Sequence, residues 1–176
     1  MIDMVAAMAI LGVLSAIAIP AMQRISDAIA LGEAQRLVRS TLQQARLKSV
    51  TSNRNIRVRF NCPAAGQMRM VELIGTPMAP ASQDIAANRC SDTVYPFPGD
   101  NNPLTLPNND GPIQTIHRSV SFGATQTIEF RPTGTAWVVN ADGTSTAPLA
   151  GDGVSVSVTK GTYSKAVTIN ALGKIQ

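Results

Sequence analysis

The residues best suited to chemistry are few. His117 is the only histidine in 176 residues, set in Ile116-His117-Arg118-Ser119 on an expected strand. Serines and aspartates are plentiful, so a triad can be composed on paper. No nucleophile-elbow signature or paired-carboxylate motif frames one, and no glycine-rich phosphate loop is present. The two cysteines, Cys62 and Cys90, with one histidine make a poor zinc site. The sequence therefore offers no expected cofactor or metal and little for an enzyme, which survives only as a remote membrane-anchored alternative.

The charges are more informative. Residues 34–71 hold Arg36, Arg39, Arg46, Lys48, Arg54, Arg57, Arg59 and Arg69 with no acid, a block of +8 between flanks of −2 each. Such a block is either a solvated face or the contact surface of an acidic partner, with Arg46, Lys48, Arg54, Arg57, Arg59 and Lys174 as the candidate contacts. Asp3 is the opposite anomaly, a carboxylate directly before an apolar run, where charge is expensive and usually partnered.

These residues must be positioned by a simple set of elements. Overall, 44% of residues are apolar but only 15% are charged, and the surplus concentrates at Met4 to Met22, nineteen uncharged residues interrupted by Gly12, Ser15 and Pro20. As a helix this run spans about 28 Å, the thickness of a bilayer's hydrocarbon core. A cleaved signal, a plain anchor and an assembly helix compete for it. The first lacks its positive leading segment. Beyond Pro20, the apolar residues Ile25, Ile29, Ala30, Ala34, Leu37, Val38, Leu42 and Ala45 recur at helical spacing, so one helix is expected over about residues 3–52. Pro20 removes a donor and crowds the preceding turn, so a kink is expected near residues 16–20.

After Asn53 the period changes to two. Ile56, Val58 and Phe60 alternate with Arg57, Arg59 and Asn61, and Met68 and Met70 follow the turn at 63–66, so a hairpin is expected. Further strands are expected at 113–122, 127–131, 135–140, 154–159 and 166–171, separated by Gly-containing turns. Residues 76–112 hold seven of the eleven prolines and read as a long loop, either an exposed subunit contact or decoration. The organisation is thus 1–22 as a transmembrane or filament-core segment, 23–53 as its amphipathic continuation, and 54–176 as a β-domain. The fold class is α+β, a long N-terminal α-helix packed on a C-terminal antiparallel β-domain.

The stretch Ile2-Asp3-Met4 through Ile17-Ala18-Ile19-Pro20 resembles the N-terminal helix of type IV pilins and type II secretion pseudopilins, with Asp3 in place of the usual Glu. Gln44 to Val58, the run Ile128-Glu129-Phe130-Arg131-Pro132-Thr133-Gly134, and the terminal Gly173-Lys174 narrow the resemblance to the GspH/FimT group of minor pilins and pseudopilins. The resemblance implies a structural subunit held in the bacterial inner membrane by a single pass, its C-terminal domain in the periplasm, that assembles into a pilus or pseudopilus. Asp3, Gly12 and Pro20 would carry assembly, with Asp3 neutralising a neighbouring subunit's terminal amine. The implied partners are other pilin subunits, the membrane and its assembly platform. Prepilin peptidase joins them if a leader precedes Met1, which stands two positions inside the implied mature start. The group also implies a DNA-uptake alternative. Its Gly-Arg-x-Arg element reads Gly173-Lys174-Ile175-Gln176 here, one basic residue of two. In an oxidising periplasm Cys62 and Cys90 could persist as a disulfide, the alternative being two core thiols.

Overall fold

The computed structural model describes residues 2–73, 89–98, 109–123, 126–140 and 146–176, and the side chains of most of the first 21 residues are outside that description. A single helix, α1 (Ile2–Ser52), is followed by nine strands: β1 (Ile56–Phe60), β2 (Gln67–Glu72), β3 (Ile113–Thr115), β4 (Ser121–Phe122), β5 (Ile128–Phe130), β6 (Ala136–Val139), β7 (Thr146–Pro148), β8 (Val154–Lys160) and β9 (Tyr163–Ile169). The strands form two antiparallel sheets, one ordered β3-β2-β1-β5-β6-β7 and one ordered β4-β8-β9. The architecture is α+β, compatible with a pilin-like fold.

The helix ends where its sequence stops favouring it. Asn53 takes the left-handed conformation common just past a helix C-terminus, with φ of 53°, and the Arg54 amide donates to the Ser49 carbonyl. Helical assignment passes unbroken through residue 20. The side chain of Pro20, and with it the expected kink, lies outside the described residues.

Only the C-terminal part of α1 enters the core. Ala30, Leu31, Ala34, Val38, Leu42 and Ala45 are buried against Ile56, Val58, Ile128 and Phe130 of one sheet and Val156, Val158, Val167 and Ile169 of the other. The two sheets thus share the helix as a common wall. Phe60 and Phe122 meet edge to face across them at 5.2 Å, and the Ala136 amide donates to the Ala171 carbonyl. Ile25 and Ile29, expected in the buried stripe, are instead exposed, because before Ala30 only the tip of the β8–β9 hairpin flanks the helix, beside Arg24, Asp27 and Ala28, and leaves these two side chains uncovered.

Two further expectations change. The run 113–122 is not one strand: β3 pairs with β2 in the larger sheet, whereas β4 pairs with β8 in the smaller. The loop 76–112 is not uniformly exposed either. Residues 74–88 and 99–108 lie outside the described residues, but Arg89, Cys90, Tyr95 and Asp110 are buried. They belong to segments that cover the outer face of the larger sheet.

Candidate functional site

The candidate assembly residues sit on the part of α1 that leaves the β-domain. There the described apolar side chains face outward, Met4, Met8, Ile19, Met22, Ile25 and Ile29 each being more than half exposed. Gly12 is exposed, and a Cβ placed on it would meet nothing within 4 Å. Its small size is therefore not required by this chain's own packing and leaves room for something outside it. The side chains of Asp3 and Pro20 lie outside the described residues. Among the described residues no helix is long and apolar enough to cross a membrane.

The basic block does not form one surface. Arg57 and Arg59 are buried, which corrects the expectation that they could contact an acidic partner. Alternation had placed them on the wet side of β1. That side is covered, and Arg57 donates through Nε to Glu129 at 2.9 Å. Glu129 also accepts from Asn55 at 3.2 Å and from Arg131 at 3.3 Å. Arg131 in turn lies 3.5 Å over the Trp137 ring. Arg69 is fully buried and donates to the carbonyls of Gly111, Arg89, Ser91 and Tyr95, so it fastens the covering segments to β2.

Arg46 is a structural tie. It donates from Nε to the Gly134 carbonyl and from Nη2 to the Leu172 carbonyl, both at 3.1 Å. Gly173, with φ of 71°, lies so close that a Cβ there would stand 2.3 Å from the Gly134 oxygen. Three of the four sequence segments on which the resemblance rests, all but the N-terminal one, therefore meet at one place, the junction of α1, the turn after β5 and the C-terminal turn. A concavity of about 490 Å³ opens beside them, lined by Gln43, Arg46, Leu47, Val50, Gly134 and Lys174 among others. Of the six candidate contacts for an acidic partner, only Arg46 and Lys174 share this hollow, and Arg46 is already engaged.

Lys48 and Arg54 are engaged with Asp110 and Glu72 instead. Lys48 donates through Nζ to the Asp110 carbonyl at 3.4 Å, and burial pushes its pKa below 10.5 against the pull of Asp110 and Glu72. Arg54 lies 3.5 Å from Glu72. Burial raises the Glu72 carboxyl above its ordinary 4.5, opposed by hydrogen bonds from the Asn109 side chain and amide and by the charge of Arg54. Because the folded-state pKa is the raised one, the folded chain binds this proton more readily than the unfolded chain. The associated stabilisation is complete below about 4.5 and is lost as pH rises through the raised value. Wild type should therefore lose unfolding free energy relative to Glu72→Gln on going from about pH 4 to pH 7. A difference between the two that does not change with pH would reject the assignment.

His117 is exposed on the turn after β3, with Ser119 Oγ 2.7 Å from Nδ1. The geometry is that of a surface turn. Cys62 and Cys90 form a disulfide with a Cα separation of 5.0 Å. It ties residue 90 to the end of β1. Sequence reasoning had missed the Glu129 cluster, although Glu129 and Arg131 alternate on a strand opposite a basic strand, a pattern that could have signalled it.

No protein-family model, curated protein or solved structure matches this chain.

Proposed function

We propose that this protein is a structural filament subunit, a minor pilin or pseudopilin of the GspH/FimT kind. It resides in the bacterial inner membrane through residues 4–22 and moves from there into a type IV pilus or type II secretion pseudopilus. The reading rests on one observation above all: α1 is 51 residues long, and among its described side chains the buried ones begin at Ala30, while Met4, Met8, Ile19, Met22, Ile25 and Ile29 before it face outward. Such a surface needs a non-aqueous surrounding. Lipid and neighbouring helices both supply one, and passage between them costs little because neither exposes this stretch to water. The residues suited to small-molecule chemistry are scattered, whereas the assembly residues Asp3, Gly12 and Pro20 are all on this stretch.

Asp3 sets register in this mechanism by meeting a cation of a neighbouring subunit in low dielectric. Asp3→Ala should lower the amount of subunit recovered in sheared filaments by about tenfold or more, since an uncompensated buried charge costs several kcal/mol. Asp3→Glu should restore it. Full incorporation of Asp3→Ala, read by immunoblot of the sheared fraction at equal membrane levels, would remove the register role.

A further inference from the structure

We propose that the tip of the β8–β9 hairpin is a foot that rests on the anionic headgroup surface of the bilayer and holds the β-domain upright on it. The inference builds on the membrane residence of residues 4–22 proposed above.

Height along the helix is the first argument. The β8–β9 hairpin lies along α1 with its tip toward the N-terminal end: Gln35 donates to the Ala166 carbonyl of β9 at 2.8 Å, and nearer the membrane end Lys160 of β8 pairs with Asp27 at 2.7 Å. Arg24, Ala28 and Leu31 share a hollow of about 210 Å³ with Tyr163, Ser164 and Lys165. The turn Gly161-Thr162 between the paired residues Lys160 and Tyr163 therefore lies level with residues 24–27. At 1.5 Å per residue that is about 3 to 8 Å beyond Met22. The headgroup layer of one leaflet is about 5 to 8 Å thick. A bilayer centred on residues 4–22 thus places the hairpin tip at headgroup depth.

Chemistry at that height fits the same surface. Tyr163 is 52% exposed, an aromatic ring with a polar end of the kind enriched at membrane interfaces. Gln23, Arg24, Thr162 and Lys165 are exposed beside it, and Ile25 and Ile29 carry the apolar face of the helix into the same zone. The acids here are Asp27, held by Lys160, and Glu33, a little higher and lining a hollow with Arg36 and Lys165. These six charged groups sum to +2. The turn is a two-residue hairpin with Gly161 at φ of 58°, short enough to present the tip rigidly.

The test uses the full chain in lipid nanodiscs, either neutral phosphatidylcholine or the same lipid with about a third phosphatidylglycerol. A spin label is placed at the tip by Thr162→Cys or, as an aqueous reference, by Asp152→Cys, an exposed turn at the opposite end of β8. The expected result is that the tip label alone loses contact with a water-soluble nickel relaxant in the anionic discs and regains it at high salt. Arg24→Gln should lower the docked-to-undocked ratio about fivefold, the contribution of one basic residue near an anionic surface. Equal accessibility of the tip label in both lipids overturns the foot while leaving membrane residence standing. Failure of the chain to enter discs of either kind overturns membrane residence, and the foot with it. Protection that scales with the number of subunits per disc instead of lipid charge assigns the tip to a neighbouring subunit and also overturns the foot.

Discussion

Glu129→Ala should lower the unfolding free energy of the β-domain by about 3 to 5 kcal/mol, the cost of removing one partner from a buried ion pair. Both members of the Arg57–Glu129 pair are nearly inaccessible, their side chains 2% and 1% exposed. The loss exceeds that of an ordinary surface bridge for two reasons. The guanidinium of Arg57 would stay buried without its carboxylate, and Asn55 and Arg131 would each lose an acceptor. Trp137, stacked on Arg131, reports the change by fluorescence during denaturant unfolding of the full chain in detergent. The double variant Arg57→Leu/Glu129→Leu should be less destabilised than Glu129→Ala, because a buried pair replaced by apolar groups leaves no charge behind. A loss below about 1 kcal/mol for the single variant would show that solvent reaches the cluster and screens it.

Converting both cysteines to serine should lower stability by about 3 to 4 kcal/mol, the chain-entropy contribution of closing a loop with a sequence separation of 28 residues. The native covering segment should nevertheless stay in place. Arg69 donates to three of its carbonyls, those of Arg89, Ser91 and Tyr95, and Arg89 donates to both the Glu72 carbonyl and the Asp110 carboxylate. The disulfide thus restrains the unfolded chain, while the arginines hold the folded one. The expected signature is a lower unfolding midpoint with amide exchange at 89–98 still protected under native conditions. Rapid exchange there in the double serine variant would mean that the covalent bond alone holds the segment.

Much of the scaffold is legible in the sequence. The helix expected over about 3–52 runs from Ile2 to Ser52, and its stripe from Ala30 to Ala45 is buried. Local signals suffice for this, since a 3.6-residue period and an Asn at the helix end act within a few residues. The hairpin of β1 and β2 follows from alternation and a glycine-containing turn, and so do the positions of β5, β6, β8 and part of β9 along the chain. The strand β7 escaped notice, as three residues carry too little periodicity to stand out.

The faces of those strands were not legible. Alternation along Ile56 to Phe60 separates two sides but says nothing about what lies over either, so Arg57 and Arg59 read as solvated when residues far along the chain in fact cover them. Likewise, nothing local told Ile29 from Ala30. That boundary exists because the core closes over the helix only from Ala30 onward, while the β8–β9 tip flanks just the Arg24, Asp27 and Ala28 side before it, a fact about an element more than a hundred residues away.

The sequence by itself therefore determined the helix, most of the strands and the apolar run at 4–22, because each rests on composition and short-range period, whereas the assembly roles of Asp3, Gly12 and Pro20 are what the resemblance implies. Only the tertiary structure decided which cations face outward, which cysteine state holds, how far down the helix the β-domain reaches, and that three of the four family-like segments meet at Arg46. Those are questions of which distant surfaces exclude water from which side chains, and exclusion is a property of packing between elements that no single element encodes.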